Sequence, residues 1–393
     1  MLLSTAPMSS ATSNFLSALR AFLLLLASAS VVRAQPVPQG PVPLPTPSPG
    51  VIVPAKPSEG ALQRRAAAAP RAQPKEGTTI RHSQSFEPEL RLLFRVVACA
   101  GDEPVPAKFE AVVTRHCGIF KPIMERYREY YVPRAQPFIG SLQPEGLPTT
   151  VVYPFGGGDL LSALTVYPKL TEVTTMSLEH VGDPRVIDTI SPAALERALA
   201  VVRRRVSGLL IWTESTSENM IQLEAGQLPG QLCFFLVGLA VHGQEPVGLR
   251  FFDLTPEGGV DGISPSDVDL RKARVATKLN QYWKAPSFSD AFSNSELTFR
   301  PAGQTEAPLR IHRHIAADIS NTGLKRDPSV LKHLVAKGYV AAMTKAASYL
   351  LWSSNFSSIR QYLLDNMDFM VSDSTGIPPR FAREAGFEVI PFG

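Results

Sequence analysis

The chain has 393 residues, of which 44% are hydrophobic, so it is long and apolar enough to form a packed core. Its net charge is +4, but residues 1–34 hold two arginines and no acid, and residues 35–80 hold five basic residues against two acidic ones, which leaves −1 for residues 81–393. A near-neutral folded part argues against nucleic-acid binding, which requires a basic face.

The first 34 residues are predicted to be a signal peptide. The uncharged apolar run Ala21–Val32 follows Arg20 and is shorter than the roughly 20 residues that a spanning helix needs. Val32 and Ala34 are small residues placed for cleavage after Ala34. The sequence therefore predicts an extracytoplasmic protein, periplasmic or secreted. The alternative is an uncleaved membrane anchor that uses Phe15–Leu19 as extra length.

Residues 35–80 are predicted to be a disordered linker rich in proline and alanine. Proline lacks the backbone donor that helices and sheets use, and a proline-rich stretch favours an extended, semi-rigid conformation. The basic residues of this linker, including Arg64 and Arg65, could contact an anionic surface of the cell envelope. Otherwise the segment is a solvated spacer, and no other partner is predicted.

The three cysteines are Cys99, Cys117 and Cys233. An exported protein is permitted a disulfide, and Cys99 and Cys117 would close a short loop, but the sequence leaves open whether they do. Cys233 lies in an apolar run and is predicted to be a buried thiol.

Residues 85–393 are predicted to form a single α/β domain. Leu90–Val97 is predicted to be a strand, and Phe109–Tyr131 a helix that Pro122 breaks or restarts. Thr149–Pro154 is rich in β-branched residues and is predicted to be a strand, and a glycine loop over Phe155–Asp159 follows it.

The chain then alternates between helix and strand. The predicted elements are a helix Leu160–Tyr167, a strand Leu170–Leu178, a helix Ala193–Val206 ended by Gly208, and a strand Leu209–Trp212. This alternation predicts a mainly parallel, helix-covered sheet of the Rossmann-like three-layer kind.

The C-terminal part adds an antiparallel feature. Glu296–Arg300 and Leu309–Ile319 are predicted to form a β-hairpin added to the sheet. The other predicted elements are helices at Leu232–Val241, Val330–Ala336, Val340–Trp352 and Pro379–Ala385 and strands at Val247–Leu254 and Phe387–Pro391.

A ligand site is predicted where strands end in glycines and acids. Glycines allow a backbone to approach a ligand, and ligands of open sheets bind at the carboxyl ends of the strands. The candidate ligand-binding residues are Gly156, Gly157, Gly158, Asp159, Glu179, Glu214 and Asp373. Glu179 has the spacing of an acid that accepts a ribose hydroxyl, but the loop has no GxGxxG pattern, and Asp159 would repel a phosphate.

His312 and His314 are weak metal candidates. Two residues apart on a strand, they share one face, but no third ligand is evident. The chain has no GxSxG, HExxH, P-loop or CxxC pattern. No catalytic residue and no cofactor are therefore predicted.

Two groups of segments resemble a family of uncharacterised exported bacterial proteins. The first runs from Tyr153–Leu160 to Leu178–Gly182, and the second comprises Lys345–Leu350, Asn355–Arg360 and Asp373–Pro378. The resemblance spans about residues 90–393, and it implies a shared domain and bacterial export without implying an activity.

These observations favour an exported domain that binds a ligand at the glycine loop. The alternatives are a Rossmann-like enzyme or binding protein for a nucleotide or an S-adenosyl group, and a structural envelope protein. A metal hydrolase that uses His312 and His314 has less support.

Overall fold

The computed structural model describes residues 50–54, 84–211, 228–277, 289–345, 347–373 and 376–391. Its α-helices are α1 Glu87–Val97, α2 Glu110–Arg126, α3 Val132–Leu142, α4 Leu160–Val166, α5 Val186–Thr189, α6 Pro192–Ile211, α7 Gly230–Val241, α8 Pro265–Thr277, α9 Asn321–Arg326, α10 Ser329–Ala336, α11 Ser357–Asn366 and α12 Pro379–Glu384. A π-helical segment, Tyr127–Tyr131, joins α2 to α3, and a 3₁₀ helix spans Ala347–Trp352.

The strands are β1 Gly50–Pro54, β2 Thr150–Tyr153, β3 Glu172–Ser177, β4 Gln244–Leu254, β5 Val260–Gly262, β6 Asn294–Pro301, β7 Arg310–Ala316, β8 Val340–Thr344, β9 Met367–Ser372 and β10 Phe387–Pro391. They form one sheet in the order β10-β1-β9-β8-β2-β3-β7-β6-β4-β5. The five central strands, from β9 to β7, are parallel, and the strands on both flanks pair antiparallel.

Apolar side chains cover both faces of this sheet. One core cluster includes residues of α1, α4, α6 and α7, and the other includes residues of α9, α10, α11 and α12. The two clusters sandwich the parallel strands, which are buried on both faces as parallel strands usually are. The predicted α/β class, its helix-covered parallel centre and the added hairpin, which is β6–β7, are therefore confirmed.

Several local predictions are wrong. Leu90–Val97 lies in helix α1, because Leu90, Leu93, Phe94 and Val97 repeat at helical spacing and bury one face. Helix α2 continues through Pro122 without a break. Helix α6 extends to Ile211, so the predicted strand Leu209–Trp212 is helical as far as the structure describes it.

The linker prediction for residues 35–80 is wrong at Gly50–Pro54. This segment is strand β1, which pairs antiparallel with β9 on one side and with β10 on the other. Its run Val51-Ile52-Val53 has the high strand propensity of β-branched residues, and only Pro54 at its end lacks a donor. The remainder of the linker and the predicted signal peptide lie outside the described residues.

Among the described residues, no helix combines the length and the apolar character needed to cross a bilayer.

Cys99 and Cys117 form a disulfide, which links the end of α1 to α2, and Cys233 is a buried free thiol. The bond closes a loop with a sequence separation of 18. We expect the double variant Cys99→Ala/Cys117→Ala to lose about 3 kcal/mol of unfolding free energy, because the unfolded chain is no longer constrained. Denaturant titration measures the loss, and reductant should give the wild-type protein a similar loss. An unchanged midpoint in reductant would contradict the prediction.

Candidate functional site

The strand order places a topological switch point between the carboxyl ends of β2 and β8, and we refer to the space between the two loops that follow these strands as the crevice. These two parallel strands are neighbours, but β2 connects through α4 to β3 on one side, whereas β8 connects through α11 to β9 on the other. Neighbouring strands whose connections leave in opposite directions separate their loops, and open α/β sheets bind ligands at such switch points. The loops that border this crevice begin at Pro154 and at Lys345.

The glycine loop after β2 is a packed turn. Phe155 and Gly157 have left-handed φ angles of 62° and 46°, and a Cβ on Gly156 would lie 2.6 Å from the ring of Tyr153. Gly156 and Gly157 donate their amides to the carbonyls of Tyr153 and Met176, at 3.2 and 3.3 Å. The amides of Asp159 and Leu160 donate to carbonyls within the loop. These amides are occupied inside the protein, so the loop is not an open phosphate cradle.

Asp159 organises the start of α4. Its Oδ1 accepts the backbone N–H of Ser162 at 3.1 Å, which is an N-cap bond. Its Oδ2 accepts the hydroxyl of Tyr153 and the ammonium of Lys345, both at 3.0 Å. Burial, followed by the charge of Asp159, raises the pKa of Tyr153 well above its usual value, so this phenol remains a donor. The carboxylate is only 7% exposed and is engaged by the protein itself.

Lys345 follows β8 and reaches across the crevice to the β2 side. Its Nζ donates to Asp159 and to the hydroxyl of Ser162, both at 3.0 Å. Burial alone would lower the pKa of Lys345, but the charge and the hydrogen bond of Asp159, with further contributions from Tyr131 and Asp373, together outweigh that effect and raise it. The side chain is 39% exposed. Lys345 is therefore a fixed and partly exposed cation between the two loops, and the described residues occupy two of its three ammonium hydrogens.

Hydroxyl groups line the neighbouring ends of β8 and β9. Thr344 donates its hydroxyl to that of Ser372 at 2.9 Å. Asp373, a predicted site residue, donates its amide to the carbonyl of Thr344 and accepts the hydroxyl of buried Ser348 at 2.7 Å. Asp373 also adds to the negative charge that raises the pKa of Lys345. The structure thus brings Asp159 and Asp373 to the same edge of the sheet.

Glu179 lies one strand away, after the carboxyl end of β3. The side chain is buried, and the backbone carbonyl accepts Nε2–H of His314 at 2.9 Å. Its amide donates to the hydroxyl of Ser177. The described bonds of Glu179 connect it to β3 and β7 rather than to Asp159. Glu214 lies outside the described residues.

His312 and His314 are buried beneath Phe235 of α7, whose ring centroid is 4.3 Å from that of His312. The hydroxyl of Thr175 bridges His312 Nε2 and His314 Nδ1, at 2.9 and 3.0 Å. Because His314 donates Nε2–H to Glu179, its Nδ1 accepts from Thr175, which in turn accepts from His312. Burial lowers the pKa of His314 to about 4 and holds that of His312 well below its usual value, so both rings are neutral at pH 7.

The described residues contain one group of three side chains close enough to share a metal ion: Cys99, His116 and Cys117. The two cysteines are joined to each other, and both ring nitrogens of His116 are bonded, Nε2 to the carbonyl of Val97 and Nδ1 to Arg203, each at 2.9 Å. This group is therefore part of the core, and the histidine pair on β7 does not belong to it.

Sequence reasoning missed Lys345 as a site residue. Val340–Trp352 is predicted to be one helix, whereas the structure has strand β8 followed by a 3₁₀ helix. The sequence signal that would have placed Lys345 at a strand end is a short, mainly apolar run, Val340–Thr344, followed directly by a lysine. Tyr153 and Ser162 become site residues only through their bonds to Asp159 and Lys345.

Comparison with known proteins gives no match, since no family model, no curated protein and no solved structure is significantly similar to the chain.

Proposed function

We propose that this domain binds a small polar molecule in the crevice between β2 and β8, and that Lys345 is its main charged contact. The observation that carries the proposal is the ion pair between Lys345 and Asp159, which spans the switch point and fixes a partly exposed lysine side chain there. Ligands of open α/β sheets bind at such switch points, where a few fixed polar groups orient them.

The chemistry of the crevice favours a ligand that presents a hydrogen-bond acceptor, such as a carboxylate. Lys345 remains protonated at neutral pH, because Asp159 raises its pKa. A protonated amine is a donor and not a nucleophile. The hydroxyl of Ser162, which accepts from Lys345, keeps its own hydrogen for a second contact. Binding therefore has more support than covalent catalysis.

The nucleotide-binding or S-adenosyl-binding enzyme has less support. A dinucleotide loop leaves its amides open to the pyrophosphate. Here the amides of Gly156, Gly157, Asp159 and Leu160 bond to carbonyls of the protein. In a purely structural envelope protein, Lys345 would serve only to neutralise the buried carboxylate of Asp159.

We also propose that the protein acts outside the cytoplasm. The signal-like N-terminal segment motivates this location, and the disulfide between Cys99 and Cys117 is compatible with an oxidising compartment. Detection of the mature chain without residues 1–34 in the extracytoplasmic fraction of a cell would support it, and retention of the full chain in the cytoplasm would overturn it.

Binding is tested with acetate, succinate, citrate and inorganic phosphate, by thermal shift and then by calorimetry. We expect at least one carboxylate to bind the wild-type protein, and the variant Lys345→Met to bind it at least about ten-fold more weakly, which is the value of one charged hydrogen bond. Lys332→Met is the matched control, because Lys332, on α10, donates to the carbonyl of Pro256 between β4 and β5, away from the crevice.

Two results would overturn the proposal. One is that no compound of the panel binds the wild-type protein. The other is that Lys345→Met binds as tightly as Lys332→Met while both variants remain folded, as circular dichroism would show.

A further inference from the structure

Exposed apolar side chains are concentrated on one helical arm, which we define as residues 110–142. Nine large apolar side chains of the described residues are exposed, and four of them lie on this arm: Ile119, Tyr130, Tyr131 and Phe138. Each of the four is about half exposed. Single exposed apolar residues are ordinary, but their concentration on one element indicates a contact surface.

The same arm is basic, and so is the helix beside it. The arm has five basic residues, all exposed, against three acidic ones. The neighbouring helix α6 contacts the arm through Glu196, which pairs with Arg115, and it holds four arginines against one acid. Because residues 81–393 together have a net charge of −1, the remainder of the domain is acidic and the positive charge is concentrated on this side.

Arginines and apolar residues share one stripe of the arm. Arg115, Ile119, Arg126 and Tyr130 follow one another at intervals of four, seven and four residues, which places them on one helix face. The face turned to the core holds Val113, His116, Phe120 and Met124 of α2 instead. Arg126, Tyr130 and Arg134 line one surface groove, whose other lining residues are Pro122, Glu125 and Glu129. The stripe therefore alternates guanidinium groups with apolar side chains.

We propose that this arm, with α6 beside it, docks on the surface of an anionic lipid bilayer. Arginines bind lipid phosphates, while tyrosine, phenylalanine and isoleucine side chains enter the boundary between headgroups and acyl chains. A second copy of the chain would bring like charges together at this face. A nucleic acid would satisfy the arginines but would offer no apolar phase to Ile119 and Phe138.

The proposal is tested by sedimentation of the full chain with phosphatidylcholine vesicles, prepared with and without phosphatidylglycerol. We expect binding to increase with phosphatidylglycerol and to fall with salt. The variant Arg126→Glu/Arg134→Glu should lower the partition to anionic vesicles by at least about thirty-fold, since each basic residue near such a surface contributes about a five-fold factor. Phe138→Ser should lower it as well, without changing the salt dependence.

The matched control is Lys325→Glu/Arg326→Glu on α9, a second pair of exposed basic residues whose helix belongs to the core cluster on the other face of the sheet. It should bind the anionic vesicles as the wild-type protein does. Equal binding by the arm variant and the control would assign the attraction to the N-terminal basic residues and overturn the proposal. Binding of duplex DNA that the arm variant loses, with no preference for anionic vesicles, would also overturn it.

Discussion

Acidification from pH 7 to about pH 5 is expected to unfold this domain cooperatively, because its histidines are held neutral. The chain has seven histidines, and the six that the structure describes all have lowered pKa values. Burial is the largest cause in each. The pKa falls to about 4 for His116, His180, His242 and His314, to about 3 for His333, and well below its usual value for His312.

The direction of the effect follows from proton binding. Each folded-state pKa lies below the unfolded value of 6.5, so below pH 6.5 the unfolded chain binds more protons than the folded one. The stabilisation that these neutral histidines contribute is therefore fully present above pH 6.5, and it is lost as the pH falls towards 4. Between pH 6.5 and pH 5 each histidine lowers the unfolding free energy by about 1.4 kcal/mol per pH unit. Over that range the loss from all six histidines is comparable to the whole unfolding free energy of a typical domain.

The measurement is the unfolding free energy in denaturant at a series of pH values, whose slope gives the number of protons taken up. His242→Gln is an informative variant, because His242 is at the edge of the core and a glutamine can still donate to the carbonyl of Leu161. It should reduce the proton uptake by about one. A stability that stays constant between pH 7 and pH 5 would show that these rings titrate normally.

The variant Arg313→Met is expected to lose about 3–5 kcal/mol of unfolding free energy, which is the usual cost of breaking a buried ion pair from one side. Arg313 on β7 is 10% exposed and donates to Glu296 at 2.7 and 3.0 Å and to Glu172 at 2.7 Å. Lys337 also donates to Glu172. Burial alone would raise the pKa of Glu172, but Lys337 and then Arg313 lower it to about 2. The substitution leaves the two carboxylates with less positive charge inside the protein.

Arg115→Met is the matched control, because Arg115 and its partner Glu196 have side chains that are 60% and 47% exposed. Solvent screens this pair, and its loss should cost less than about 1 kcal/mol. Both variants are compared by denaturant unfolding at pH 7. If Arg313→Met is no less stable than Arg115→Met, the buried network contributes no more than a surface pair. Combining Arg313→Met with Glu296→Leu should recover part of the lost stability, since the second substitution removes one of the two buried carboxylates that Arg313 no longer neutralises.

Elements with a strong local signal could be predicted from the sequence. Strand β2, the glycine loop, α4 and β3 follow from β-branched runs, three consecutive glycines and a helical repeat. The hairpin β6–β7 and the C-terminal pair of α12 and β10 were predicted in the same way.

The failures were short apolar runs, for which helix and strand differ little in sequence. Val340–Thr344 is completely buried as β8, so it shows neither the alternation of a half-exposed strand nor the repeat of a helix face. Gly50–Pro54 lies in a proline-rich stretch, and the prolines around it favoured the prediction of a linker over that of a strand. In both segments the neighbouring strands stabilise the strand conformation.

The sequence by itself determined the α/β class and the glycine loop between β2 and α4, because β-branched runs, helical repeats and consecutive glycines are signals contained within one or two elements. Only the tertiary structure decided that β8 lies next to β2. That neighbourhood brings Lys345 to Asp159 across 186 residues of chain and leaves Glu179 with His314. The physical reason is that backbone hydrogen bonds between strands are the same for every sequence, so the order of strands is set by the packing of both sheet faces against distant helices.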